Sequence, residues 1–124
     1  MGRILQQGPP METSAEHRVL SLVTTVGSVD DAQRLATRIL DARLAACVQV
    51  ETGLESSYRW RGAPCTDSEV RLTVKSLPHL RPALQALFDQ HHPYQLPQFL
   101  SSEMDASPAY AQWVRDEVAA AAAG

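Results

Sequence analysis

The stretch VLSLVTTVGSVDDAQRLATRIL, residues 19–40, decides the fold of this chain. It opens with an apolar and β-branched run, Val19 to Thr25, of the length expected for a strand buried on both faces. Ser28 then offers a hydroxyl to the amides freed at a helix start, and Asp31 has the spacing of a capping box. Beyond it, apolar residues recur at helical spacing: Ala32, Leu35, Ala36, Ile39 and Leu40. The stretch predicts a buried strand followed by a helix that faces a core.

The next segment returns to the period of two that is typical of strands. Alternate residues define one strand face before Gly53 and another after it: Ala46, Val48 and Val50, then Leu54, Ser56, Tyr58 and Trp60. Gly53 is therefore either a tight turn or a bulge, and both alternatives stay open. Residues Gly62 to Asp67 are predicted to form a loop that contains Cys65. The stretch SEVRLTVKS, residues 68–76, alternates again and predicts the next strand.

A second helix is predicted from about Pro78 to His91, and Pro93 ends it because the residue before a proline is pushed out of the helical region. The stretch QFLSSEM, residues 98–104, predicts a last short strand, and Pro108 opens a third helix. The order β-α-β-β-α-β plus a terminal helix predicts an α+β, ferredoxin-like sandwich with both main helices on one sheet face. The other face leaves apolar side chains in water, so we expect self-association.

Length and composition predict one domain, residues 18–119, between a disordered leader at 1–17 and a frayed alanine tail at 120–124. The two cysteines form no C-x-x-C motif, and the leader lacks the pattern of a signal peptide. No apolar run approaches the ~20 residues of a membrane span. We therefore expect a cytoplasmic protein without a membrane partner.

The charge pattern and the missing motifs exclude other classes of protein. The formal net charge is −3, and the basic residues form no block, so nucleic acid is not an expected partner. Catalytic motifs such as G-x-S-x-G and H-E-x-x-H do not occur, nor does a glycine-rich phosphate loop. The sequence therefore predicts a protein that is not an enzyme.

The most suggestive polar stretch is HHPY, where His91 and His92 precede a proline and Tyr94. Adjacent side chains diverge by about 100° on a helix, so the two imidazoles cannot easily hold one ion together. One interpretation is a metal site completed from elsewhere, with copper or zinc as the suited ions and Tyr94 behind the ligands. The other is that His91 caps the helix and His92 orients the turn.

Two further sets of residues are candidates with structural alternatives. Cys47 is interpreted as a small core residue, and Cys65 as an incidental exposed thiol. Tyr58 and Trp60 are interpreted as interface or core aromatics rather than as base-stacking residues. A small anionic ligand could be bound in a cleft between subunits by basic side chains: Arg59, Arg61 or Lys75.

Together the stretches LVTTVGSVDDAQRLATRILDARLAACVQV, YRWRG, SEVRLTVKS, HHPYQLPQ and SPAYAQWV resemble the CutA family, the divalent-cation tolerance proteins. The resemblance covers about residues 19–118. It implies a ferredoxin-like protomer in a homotrimer similar to the PII signalling proteins, and a role in divalent-cation tolerance. It also implies copper binding by His91 and His92 together with a first-strand cysteine, whose position is occupied here by Thr24.

The sequence departs from the family pattern at positions that bear on the metal. Thr24 offers a hydroxyl where a thiolate would be a strong copper ligand. Gly27 stands where the family usually has proline, and Gln98 where it usually has glutamate. We expect copper or another divalent cation near His91 and His92, with Thr24, Tyr94, Arg59, Trp60 and Lys75 as cleft or supporting residues. The alternative is a PII-like signalling or scaffold trimer that binds a small anion or a partner protein.

Overall fold

The computed structural model describes residues 17–123, with side-chain detail for residues 17–118. Within that range the elements follow in this order: β1 (Arg18–Val26), α1 (Val29–Asp41), β2 (Cys47–Trp60), β3 (Ala63–Ser76), α2 (Arg81–His91), β4 (Leu100–Asp105) and α3 (Pro108–Ala123). One 3₁₀ turn, Pro78–Leu80, leads into α2. The predicted leader lies outside the described residues except for His17, and the predicted tail lies where side chains are not described.

The four strands form one sheet in the order β2-β3-β1-β4, and every neighbouring pair is antiparallel. The central strand β1 places Leu22 opposite Val74 of β3 and opposite Ser101 of β4. This order is the one that two right-handed β-α-β crossovers produce in a ferredoxin-like fold. The predicted α+β fold class is confirmed.

The main core lies between one face of the sheet and helices α1 and α2. Because side chains alternate along a strand, every second residue of β1 and β3 points to these helices. The fully buried members of this core include Leu22, Val26, Ile39, Leu72, Val74, Leu84 and Phe88. A second, smaller cluster joins α3 to Val19 on the opposite face, with Leu77, Ala111 and Val114 as its other buried members. Helix α3 thus covers only part of the face that α1 and α2 leave open.

Helix α1 begins at the predicted cap. The Ser28 hydroxyl accepts a hydrogen bond from the Asp31 backbone amide at 3.1 Å, and the Asp31 carboxylate accepts one from Arg34 at 2.8 Å. An N-cap hydroxyl satisfies one of the amides that a helix start leaves free.

Replacing Ser28 with alanine is expected to lower the free energy of unfolding by about 1 kcal/mol, because alanine offers no acceptor to the freed amide. Urea unfolding of the variant and of the wild type, at the same protein concentration, measures the difference. Ser28→Asp is the matched control, since aspartate also caps and should retain the stability. Equal losses in both variants would contradict the capping role.

Gly53 lies in a bulge and not in a turn. The register of β2 against β3 shifts between Glu51 and Leu54, and Gly53 has a φ of 80°. Because an extra residue bends the strand without ending it, β2 continues to Trp60 as one strand. The bulge is thus the correct one of the two alternatives.

The predicted loop from Gly62 to Asp67 is wrong beyond its first residue. Arg61 and Gly62 have φ values of 52° and 83°, which make a two-residue hairpin turn, and Trp60 pairs with Ala63. The strand β3 starts there, so Cys65 lies in the ladder opposite Tyr58. The turn-forming composition of GAPCTD misled the prediction, because this part of β3 is specified by backbone pairing and not by burial.

The outer half of this hairpin extends past the rest of the sheet. Strand β1 pairs only with Val70–Ser76 of β3, whereas β2 pairs with β3 as far as Ala63. The paired residues 54–60 and 63–69 are called the β2–β3 arm below. Most of the arm is exposed.

Among the helices of residues 17–123, none is both long and apolar enough to cross a bilayer.

Candidate functional site

The site is organised by the segment 92–98, which joins α2 to β4. Helix α2 ends at His91, and its C-cap His92 has an extended backbone with φ −74° and ψ 134°, because Pro93 disfavours a helical conformation before it. The His92 amide still donates to the Phe88 carbonyl at 2.9 Å, which fixes where the imidazole leaves the helix. The chain therefore turns at HHPY, as predicted.

The His92 ring is bonded through both of its nitrogens. The Tyr94 backbone amide donates to Nδ1 at 3.1 Å, and Nε2 lies 2.9 Å from the Thr24 hydroxyl. Since Nδ1 accepts, the proton of the neutral ring is on Nε2, which donates to Thr24 Oγ1. Thr24 is fully buried on β1, so this bond ties the segment to the centre of the sheet.

Two aromatic rings lie beside the half-buried imidazole. The Phe88 and Tyr94 ring centroids lie 5.4 and 5.3 Å from that of His92. Burial lowers the pKa of His92 below its ordinary value, although the charges of Asp31 and Glu69 oppose this shift. At neutral pH the ring is therefore uncharged.

The shift predicts how stability depends on pH. The unfolded chain takes up the His92 proton near the ordinary pKa of 6.5, whereas the folded chain takes it up only at lower pH. The stabilising contribution is thus complete above pH 6.5 and is lost as the pH falls from there through the folded pKa. Urea unfolding between pH 8 and pH 5 measures it, with His92→Gln as the reference. An identical pH profile in that variant would contradict the assignment.

The residues just after the segment 92–98 are held by Arg81 of α2. Arg81 donates from Nε to the Ser101 hydroxyl at 2.8 Å, and its guanidinium lies 4.9 Å from the Phe99 ring centroid. Phe99 in turn meets Phe88 edge-on, with centroids 5.1 Å apart. The segment is consequently held at both ends.

The segment faces the β2–β3 arm across an open cleft of about 800 Å³. The Tyr94 hydroxyl joins the segment to the arm, because it donates to Glu69 Oε2 at 2.7 Å. Burial and the neighbouring Glu69 raise the pKa of this phenol. Within the arm the Tyr58 hydroxyl donates to Asp67, which raises the pKa of Tyr58 to about 12. Both phenols therefore stay protonated at neutral pH and serve as donors to carboxylates.

The cleft is negatively charged. Its ionisable lining consists of three carboxylates and two tyrosines: Glu55, Asp67, Glu69, Tyr58 and Tyr94. Arg59 and Lys75 do not line it: Arg59 donates to the Gly62 carbonyl, and Lys75 lies opposite Ser21 and Cys47 in the sheet. In the single protomer the charge of this cleft disfavours the small anion of the alternative hypothesis.

The structure brings some of the predicted site residues together and separates others. Thr24, His92 and Tyr94 form one bonded group, and Trp60 lines the same cleft as Tyr94. His91 is exposed and lines a different groove between α1 and α2, whose lining also includes Arg38 and Asp41. The two histidines thus face different surfaces. Gln98 lines the cleft, and a Cβ at Gly27 would meet the Tyr94 hydroxyl at an ordinary 3.7 Å.

The donor set does not fit a copper or zinc site within one protomer. In the described residues no three side chains of His, Cys, Asp or Glu are grouped so as to hold a metal ion. The Nδ1 lone pair of His92 is taken by the Tyr94 amide, its Nε2 carries the proton, and Thr24 offers only a hydroxyl.

The sequence did not indicate the carboxylates of the cleft. Asp67 and Glu69 share one face of β3, which the period of two could have shown once β3 was extended to Ala63. The hydrogen bond of Glu69 with Tyr94 depends on the arm lying beside the segment 92–98, since the two residues are 25 apart in the chain.

Comparisons with known proteins give one consistent result. A family model for the CutA1 divalent ion tolerance protein matches residues 20–117. The divalent-cation tolerance protein CutA of Thermus thermophilus is 34% identical over 96 residues, which are 77% of this chain and 93% of that protein. A structure of CutA from Synechococcus elongatus is 35% identical with a TM-score of 0.77, and the match covers 82% of this chain and 91% of that chain.

Two other solved structures extend the comparison. CutA1 from Oryza sativa is 30% identical with a TM-score of 0.79, and the match covers 84% of this chain and 96% of that chain. A protein from Archaeoglobus fulgidus described as a periplasmic divalent cation tolerance protein is 23% identical with a TM-score of 0.77, covering 81% and 98%. At 23% identity, the likeness to the Archaeoglobus fulgidus protein shows a shared fold alone.

Proposed function

Because the chain belongs to the CutA1 family of divalent ion tolerance proteins, we propose that it acts in divalent-cation tolerance as a cytoplasmic homotrimer without catalytic activity. The relatives are named as tolerance proteins and not as enzymes. One observation supports the homotrimer: within the described residues, the two edge strands β2 and β4 have no strand paired to their outer sides.

The open edges carry apolar side chains that favour burial. On β4, Leu100 and Met104 are 61% and 50% exposed. In the register they lie beside Val23 and Val19, on the face away from α1 and α2. An exposed edge of this kind is a template for pairing with another chain, so a second copy is the natural partner.

The two edges differ in sequence and length, so a contact between them joins unlike surfaces of neighbouring copies. Pairing of β2 from one copy with β4 of the next is a head-to-tail contact, and such contacts either close as rings or grow as filaments. The resemblance to the PII-like trimers supports closure at three copies. The cleft beside the β2–β3 arm then lies where neighbouring copies meet.

A growth experiment tests the function. In a bacterium whose own gene of this family is deleted, expression of the chain is expected to raise the Cu²⁺ or Zn²⁺ concentration that halves the growth rate. A variant with lysine at Leu100 and Met104, in which we expect assembly to be disrupted, serves as the control and should not raise it. Equal growth with the chain and with empty vector would contradict the proposed role.

We propose that copper or another divalent cation is the ion to which the protein responds; the sequence predicts His91 and His92 as its ligands. Because both nitrogens of His92 are bonded, we expect any imidazole contribution to come from His91 alone. Isothermal titration of Cu²⁺ and Zn²⁺ into His91→Ala and into the His91→Ala, His92→Ala double variant should therefore give the same affinities. A further loss in the double variant would assign His92 as a ligand.

The cytoplasmic location is supported by the cysteines. Cys47 and Cys65 are both free and partly exposed, as expected in a reducing compartment. Fractionation of cells that express an epitope-tagged chain is expected to recover it with the cytoplasmic proteins. Recovery with the periplasmic fraction would contradict this location.

A further inference from the structure

The hydrogen bonds of HHPY bear on what His92 can do beyond turning the chain. Its ring is the one that links the segment 92–98 to β1, through Thr24 at 2.9 Å, and it also accepts from Tyr94 within the segment at 3.1 Å. Thr24 is fully buried, so no water competes for its hydroxyl. The Phe88 and Tyr94 rings also contact the imidazole.

We infer that His92 is a positioning residue which ties the segment 92–98 to β1, and that Thr24 and the Tyr94 amide keep its imidazole from binding a metal ion. A neutral imidazole binds a metal through the nitrogen that lacks a proton. Here that nitrogen is Nδ1, whose lone pair accepts from the Tyr94 amide. Coordination through Nε2 would require the proton on Nδ1, where it would face the amide hydrogen, so either mode breaks the tie.

The tie also sets the wall of the cleft. Because Tyr94 donates its amide to His92 and its hydroxyl to Glu69, the ring position of His92 determines whether the phenol reaches the arm. Hydrogen bonds thus connect the Thr24 hydroxyl to Glu69 through His92 and Tyr94. This inference concerns bonds within one protomer and goes beyond the proposed role in tolerance, so it can fail or succeed independently of the growth experiment.

Nuclear magnetic resonance of the intact protein tests the metal part of the inference. Long-range ¹H–¹⁵N spectra at pH 7.5 are expected to show the His92 ring protonated on Nε2. Addition of Zn²⁺ should shift or broaden the signals of the exposed His91 ring while those of His92 stay in place. A His92 ring protonated on Nδ1, or one whose signals change with Zn²⁺ before those of His91, would overturn it.

Amide exchange tests the tie itself. Thr24→Val keeps the shape of the buried side chain but removes the acceptor, so the Tyr94 amide should exchange at least about tenfold faster than in the wild type. Thr24→Ser retains the hydroxyl and should stay within about twofold of the wild-type rate. Equal Tyr94 exchange in the valine variant and the wild type would overturn the tie. If the valine variant does not fold, the ring spectra and the serine variant still decide.

Discussion

Replacing Leu100 and Met104 together with lysine is expected to dissociate the assembly into folded monomers at micromolar concentration. Both side chains are at least half exposed in the protomer, so the change removes little from its own core. Lysine on an edge strand opposes pairing with another chain, because its charge would have to leave water at the interface. The effect is therefore expected on the mass of the particle and not on the fold.

The measurement is light scattering during size-exclusion chromatography, accompanied by circular dichroism to confirm the fold. Val29→Lys is the matched control, since Val29 is an apolar residue of comparable exposure, 41%, at the start of α1 and away from both sheet edges. The control should keep the wild-type mass. A double variant that also keeps it would show that β4 is not part of the interface.

Replacing Phe88 with alanine is expected to lower the free energy of unfolding by about 3–5 kcal/mol. Phe88 is 1% exposed, so truncation leaves a cavity in the main core that rigid neighbours cannot fill. The variant also loses the ring contacts to His92 and Phe99, which support the two ends of the segment 92–98. The Phe88→Ala variant should therefore combine a large loss of stability with greater mobility of the segment 92–98.

Urea unfolding at one fixed protein concentration measures this loss, because assembly makes stability depend on concentration. Phe88→Leu is the matched control: it keeps most of the apolar volume and should cost clearly less than alanine. Amide exchange of Tyr94 reports on the segment in the same samples. A loss below about 1 kcal/mol for the alanine variant would contradict the role of Phe88 as a core residue.

The regular elements could be predicted because local signals and burial agree there. Ser28 caps α1 as its spacing indicated, and the alternation of Val70, Leu72 and Val74 matches their burial in the core. The hairpin turn was not predicted because it depends on the positive φ of Arg61. A non-glycine residue seldom adopts such a φ, and nothing in the sequence indicates it here. Backbone pairing with β2 then extends β3 through residues 63–67, whose composition is typical of a turn.

The site was predicted in part for a similar reason. His92 and Tyr94 are neighbours in a turn, so their mutual bond is local, and the family resemblance pointed to Thr24. The different surfaces that His91 and His92 face also follow from their adjacency. The contact of Tyr94 with Glu69 joins a turn to the arm of a distant hairpin, and such a pairing exists only once the whole sheet has formed.

Sedimentation equilibrium of the wild-type protein tests the central claim, that three copies close on one another through their sheet edges. At micromolar concentration we expect a single species with three times the 13.6 kDa mass of the chain. A well-folded particle with the mass of one chain at the same dilution would contradict it.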